Sequence, residues 1–518
     1  MGHHGPACVW LAPKHGEMTR AEAPPPRMER EKMTRRSVDF QALWPWMLII
    51  LVLISGLVIA SCSAGAATAT PTPTKTPRPA GSQTTATPQP TESARSETST
   101  VAPSTAPTTA NPPAATKAPA ATATLKPTTA QTASTVAATN TPQPRQPTPV
   151  AGSNARMGSP DYGIQAFLWW RPEVADRDLN LVKEAGLGWV KQYFAWQDIE
   201  GAKKGSLDWE RADRIVDEAN KRGLKLLVRV GMDPDRPFWA GDPPDNTGHF
   251  ADFAAQIASR YKGRIHAYQV WNEPNLAREW GKKRPDPAAY ARMLRTTYKA
   301  IKAADPNAIV VTAGMAPTTE DSDRAMPDLK FYQSLYDAMG GKSDDYFDML
   351  GVHGAGYASP PEIDPQVVAT TPKLHNNDPS PAALKRVYAF RHIEDVRDLM
   401  VRNGDADKQV VVLEFGWTTD DRPNSDYYWH GAGAGIDQAK QGCYLVRALK
   451  YAKENWQPWI GLMSMIYMPD VNWTKNDEQY YWSIIGPGYP DLFMRFGYGM
   501  VKDYLTKGAM QDYCSQFN

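Results

Sequence analysis

Downstream of Tyr162 the chain alternates two kinds of hydrophobic pattern. Short apolar runs rich in β-branched and aromatic residues predict buried strands at residues 163–168, 188–194, 224–230, 265–271, 308–313, 347–353, 409–415 and 460–467. Between them, apolar positions recurring every three or four residues predict helices, among them 209–222, 287–304, 381–403 and 436–455. Strands alternating with helices over about 350 residues predict an α/β fold, a (β/α)8 TIM barrel. The competing arrangement is an open doubly wound sheet. That sheet calls for a glycine-rich phosphate turn after the first strand, and Phe167-Leu168-Trp169-Trp170-Arg171-Pro172 is no such turn.

The pattern upstream is different. Residues 43–60 are uncharged and nearly all apolar, with Arg35 and Arg36 before them and Ile59-Ala60-Ser61-Cys62 closing the run. A basic flank, an apolar core and a small-residue cleavage site fit a secretory signal. The run resembles a bacterial lipoprotein signal, which implies lipidation of Cys62 and an extracytoplasmic, membrane-anchored protein at the cell surface. An uncleaved membrane helix of the same length and cleavage without an anchor are the alternatives. Met33-Thr34-Arg35-Arg36 opens a normal signal, so translation is expected to start at Met33, Met28 or Met18. Residues 63–157 are mostly Thr, Pro, Ala and Ser with almost no large apolar side chain. Such a tract buries too little surface to offset chain entropy, so a disordered stalk is expected. The chain therefore divides into 1–62 (extension and signal or membrane segment), 63–157 (linker) and 158–518 (barrel).

Charge and cysteine content narrow the function. With 57 basic and 56 acidic side chains the balance is +1, which gives no case for a nucleic-acid partner. Cys8 precedes the expected start and Cys62 belongs to the signal. Cys443 and Cys514 remain, either as one disulfide of an exported protein or as two separate buried thiols. No Cys/His cluster has zinc spacing, so neither metal nor cofactor is expected, and the protein is taken as a monomer.

The chemistry lies at two predicted strand ends. Trp271-Asn272-Glu273-Pro274-Asn275 closes the fourth strand, and Val410-Val411-Val412-Leu413-Glu414-Phe415-Gly416-Trp417 carries a second carboxylate at the end of the seventh. A Glu beside a buried strand is costly to desolvate and is usually placed there for chemistry or pairing. Two such Glu residues across a barrel mouth are what glycoside cleavage requires: a proton donor, and a nucleophile or base. On these motifs residues 162–505 resemble the superfamily of retaining (β/α)8 glycosidases that includes cellulase-like and β-xylosidase-like families.

The resemblance implies that Glu273 is the acid/base, that Glu414 is the nucleophile and that Asn272 bonds the sugar 2-hydroxyl. It implies further that His353 and Tyr357 follow strand six, with the tyrosine hydroxyl holding the nucleophile. Lys191 stands where many relatives have an Arg, and Arg229 is the alternative source of a guanidinium. Tyr467 ends strand eight where relatives place a sugar-stacking Trp. Trp417 is a further substrate contact, within a set of Trp169, Trp170, Trp196, Trp239, Trp280, Trp429 and Trp473 near strand ends. Flat aromatic faces suit sugar C–H groups, although each one singly fits barrel packing as well.

The expected function is hydrolysis of O-glycosidic bonds in a poly- or oligosaccharide by an exported enzyme. The alternative is a non-catalytic carbohydrate-binding barrel on a stalk. A metal-dependent barrel enzyme needs acidic or His ligands on neighbouring strand ends, which Arg229 and Ala313-Gly314 do not supply. A structural protein whose stalk is the functional part is the remaining possibility.

Overall fold

The computed structural model describes residues 156–517 apart from 243, 244 and 246. Eight strands are all parallel: β1 (Asp161–Gln165), β2 (Trp189–Ala195), β3 (Lys225–Gly231), β4 (Ala267–Val270), β5 (Ile309–Val311), β6 (Leu350–Ala355), β7 (Val410–Gly416) and β8 (Ile460–Met465). They pair in the order β5-β4-β3-β2-β1-β8-β7-β6, and a parallel bridge between Val311 and Met349 links the two ends. The main helices between them are α1 (Pro172–Glu184), α2 (Glu210–Lys221), α3 (Thr247–Arg260), α4 (Pro287–Ala304), α5 (Asp328–Ala338), α6 (His392–Arg402) and α7 (Gln438–Asn455), with α8 (Phe496–Lys507) after β8. The architecture is a nearly closed (β/α)8 barrel. Cys62, segment 43–60 and the linker up to residue 155 lie outside the described residues.

Local chemistry explains the helix starts. Pro287 opens α4 with its fixed φ while the Asp286 carboxylate accepts from the Ala289 N–H. Asp437 caps α7 in the same way, accepting from Lys440 N–H. The predicted helix 381–403 is the one to correct. It divides into a short turn, Ala382–Lys385, a 3-10 turn, Arg386–Tyr388, and α6. Ala389 is extended (φ −107°, ψ 140°), which swings Phe390 into the core against Phe415, Trp417 and Trp456. Burial of that ring outweighs the helical pattern. β1 also ends three residues early, because Leu168 N–H bonds the Gln192 side chain in place of a neighbouring strand.

Two apolar layers hold the barrel. Its interior is filled by Met157, Trp189, Leu227, Val311, Val411, Leu413 and Leu462, while Val410, Val412 and Phe415 of β7 point outward at the helices. This two-residue alternation breaks at one place. Val352 pairs with Val412, yet the next residue His353 pairs with Glu414, so Leu413 is an extra residue on β7. A bulge of this kind re-aims the residue after it. Cys443 of α7 and Cys514 of the C-terminal turn form a disulfide, which settles the choice left open by the sequence.

Candidate active site

At the end of β4 the backbone takes a costly path. Trp271 (φ 71°) and Glu273 (φ 41°) both lie in the left-handed region, which costs a non-glycine residue about 1–3 kcal/mol. Surrounding bonds fix it: Trp271 N–H donates to Val230 O, Glu273 N–H to Gly314 O, and the Trp271 indole to Glu279 O. Asn275 ties the loop down, its amide donating to the Ala316 and Met326 carbonyls and accepting from Ala316 N–H. The Glu273 side chain is fully buried and both its oxygens are engaged. Oε1 lies 2.9 Å from His353 Nδ1, and Oε2 accepts from Arg278 Nη2 at 3.1 Å. Gly314 makes room for this imidazole, since a Cβ there would fall 2.2 Å from His353 Cδ2.

Across the mouth, the bulge after Val412 turns Glu414 into the cleft. Its Oε1 accepts from Lys191 Nζ at 2.6 Å and lies 4.0 Å from His353 Nε2. One imidazole therefore stands between the two carboxylates. Burial alone would raise the Glu414 carboxyl, but Lys191, His353 and Arg229 hold it down at about 2. Burial lowers Lys191 to about 8 against the pull of Glu414. The two values agree on one state at neutral pH, an ammonium facing a carboxylate.

The cleft around Glu414 is lined by Phe167, Trp169, Trp170, Tyr193, Arg229, Asn272, Glu279 and Tyr467, among others. Arg229 stacks on the Tyr193 ring with its guanidinium carbon 4.0 Å from the centroid. Asn272 Oδ1 accepts from Gln269 Nε2 at 3.3 Å. Tyr467 meets Phe167 and Trp473 edge to face. Burial and the nearby Glu414 push its hydroxyl well above the ordinary range.

Two expected contacts lie elsewhere. Trp417 is wholly buried, its indole N–H donating to Ser359 O and its ring meeting Phe390 and Tyr444. With no open face it supports the strand end and does not stack on sugar. Tyr357 is also wholly buried; its hydroxyl donates to Pro317 O at 3.3 Å, and its ring packs on Tyr388 and Trp429. Trp196 and Trp280 are likewise core residues.

Sequence reasoning missed Arg278 and Glu279, which form a 3-10 turn with Ala277. Their one signal is adjacency to the Asn-Glu-Pro-Asn stretch. Tyr193 and Gln192 of β2 were missed as well, because the period of a strand buried on both faces does not say which face meets a ligand. Among the described residues no three His, Cys, Asp or Glu side chains are grouped to hold a metal ion, and no helix is long and apolar enough to cross a membrane.

Comparison with known proteins places the chain in context. Residues 144–459, more than half of it, match the family described as Cellulase (glycosyl hydrolase family 5). A β-xylosidase of Geobacillus stearothermophilus is 26% identical over 127 residues, which is 21% of this chain and 25% of the relative. A β-galactosidase, BbgII, of Bifidobacterium bifidum is 24% identical over 186 residues, 30% of this chain and 26% of the relative. The chain thus spans about a quarter of the length of these curated relatives. Among solved structures, a family 39 glycoside hydrolase from Bacteroides cellulosilyticus WH2 superposes with a TM-score of 0.46 at 17% identity, over 68% of this chain and 64% of that one.

Proposed function

This chain belongs to the cellulase family, glycosyl hydrolase family 5, and is a glycoside hydrolase; from that premise we propose that it cleaves a poly- or oligosaccharide by double displacement at Glu414 and Glu273. The single observation that carries the reading is Glu414. It is a carboxylate in the cleft, bonded to a buried ammonium 2.6 Å away and kept ionised at about 2. An ionised carboxylate is the form that attacks an anomeric carbon.

In the first step Glu414 bonds the anomeric carbon while Glu273 protonates the departing oxygen. In the second, Glu273 takes a proton from water, whose oxygen bonds that carbon and releases Glu414. Asn272 supplies a bond to the sugar 2-hydroxyl that strengthens in the oxocarbenium-like transition state. Phe167, Trp169, Trp170 and Tyr467 form the apolar walls against which sugar rings rest.

The test is stereochemical. NMR of the first-formed anomer is expected to show retention. Glu414→Ala is expected to be inactive and to be rescued by azide as a glycosyl azide of inverted configuration, whereas Glu273→Gln gives the retained azide. An inverted sugar from the wild type, or azides of the opposite configurations, would overturn these roles.

The same proposal extends to location. Lipidation at Cys62 anchors the chain at the membrane, with residues 63–157 between the anchor and the barrel. Polymeric glycan outside the cell is then within range, and products stay near the membrane. Mass spectrometry of membrane fractions is expected to find a diacylglyceryl peptide starting at Cys62, lost in Cys62→Ser. An intact, unmodified 43–60 segment in the mature protein would establish a membrane helix in its place.

A further inference from the structure

Arg229 lines the cleft and takes no part in the double displacement. It stands near the C-terminal end of β3, opposite Tyr193 of β2 and Gln269 of β4. Its guanidinium carbon lies 4.0 Å from the centroid of the Tyr193 ring, and among the described residues it has no hydrogen-bond or ion-pair partner. The place beside the nucleophile is already filled, since Lys191, two residues deeper on β2, bonds Glu414 at 2.6 Å. The acids of the lining have partners of their own. Asp198 and Asp233 share Arg236 at 2.8 and 3.6 Å, and Glu279 faces Arg278 at 3.8 Å. Asp470, on the loop after β8, accepts from the Asn472 N–H. The charge of Arg229 is nonetheless felt at Glu414 and at Glu279, which sets it on the central stretch of the cleft.

A half-buried guanidinium has given up part of its hydration, and without a counter-ion that loss is only partly offset. The Tyr193 ring covers one face and fixes the plane. All five N–H donors lie in that plane, so their edges are presented sideways, to whatever occupies the cleft. A planar fork of donors matches the two oxygens of a carboxylate. A sugar hydroxyl would accept a bond there but leave the charge unmatched.

Resting on the reading of Glu414 and Glu273 as the cleaving pair, we propose that Arg229 binds a carboxylate of the substrate, so that the glycan cut here is acidic, with a uronate unit held in the central cleft. The carboxylate is the one charged handle on such a sugar. Its seat on Arg229 fixes the register of the chain, while Phe167 and Trp169 on the β1 side take the apolar faces of the rings. Arg229 is then a specificity residue: it selects which sugar lies beside Glu414 and has no share in the bond-breaking steps.

The experiment uses the full chain and matched pairs of polymers: glucuronoxylan, polygalacturonate and hyaluronan, each beside its carboxyl-reduced form, in which the uronate has become the neutral hexose. Release of reducing ends gives kcat/KM on each. For at least one pair the acidic member is expected to be favoured roughly 10- to 100-fold, the size of a hydrogen-bonded contact to a charged group, and the preference shrinks as NaCl is raised. Arg229→Met is expected to erase the preference, slowing the acidic member by that factor and the reduced member by a smaller one. Arg229→Lys keeps part of it, because the ammonium retains the charge and loses the fork. No cleavage of any acidic member, no preference within the pairs, or equal losses on both members in Arg229→Met would overturn the proposal. Glu414→Ala, run beside them, separates the failures. Cleavage that survives in it removes the reading of the cleft itself, whereas cleavage abolished in it, with both members of every pair cut equally by the wild type, removes only the role of Arg229.

Discussion

Lys191 and Glu414 carry opposite halves of one electrostatic arrangement. Both are buried, and each would be costly to charge alone; together they bond at 2.6 Å. The depressed carboxyl of Glu414 stays ionised through the whole range above about 2, so the acidic limb of the rate profile is expected to lie low. Lys191→Met removes the largest opposing charge and keeps the burial. Its effect is an upward move of that limb by roughly 1–3 pH units, the size of an opposite charge within 4–6 Å. A pH profile of kcat/KM reads this directly, and a limb that stays put would sink the role given to Lys191. Arginine is a poor replacement, because a planar fork does not reproduce the compact ammonium that bonds both Glu414 and Leu413 O.

At the scale of elements, α6 is tied to its neighbours by ions as well as by packing. His392 opens α6 and is buried, with Nε2 2.8 Å from Asp328 at the start of α5 and Nδ1 2.9 Å from Asp395. Burial lowers its proton affinity, but the two carboxylates outweigh this and raise it to about 9. The sign follows: a raised folded value means stability that is complete below the unfolded value near 6.5 and is lost as pH climbs through about 9. His392→Gln is expected to cost roughly 3–5 kcal/mol at pH 6, the cost of breaking a buried ionic contact, and less at pH 9.5. Denaturant titrations of both proteins across that range decide it; a pH-independent difference would mean that His392 is neutral in the fold.

For the whole molecule, the Cys443–Cys514 disulfide pins the C-terminal turn to α7 across a sequence separation of 71. Closing a loop of that size stabilises the fold by about 4 kcal/mol through the unfolded chain. Reduction, or Cys443→Ser with Cys514→Ser, is expected to lower the unfolding free energy by that amount, read as a lower denaturation midpoint. The proposed activity should survive at temperatures where the reduced protein stays folded, because neither residue lines the cleft. An unchanged midpoint after full reduction would count against the closure argument.

The sequence alone determined a great deal. Its alternating periods specified eight strands to within a few residues, because a strand buried on both faces is mostly apolar. The adjacency of Asn272, Glu273 and Pro274 after one strand, and of Glu414 at the end of another, marked the candidate chemistry, since carboxylates beside buried strands are rare without a reason. What only the tertiary structure decided is where side chains point. Strict alternation from the inward-facing Leu413 would send Glu414 to the helices, and the extra residue after Val412 turns it to the cleft. Trp417 and Tyr357 bear the right aromatic identity near the right strands, but packing consumes their faces. Arg278 and Glu279 reach the site through a turn that reverses just after β4, and no local period records such a reversal. Local patterns encode which residues are buried, whereas the partners of a buried charge are set by contacts far apart in the chain, as with Lys191 and Glu414, 223 positions from each other.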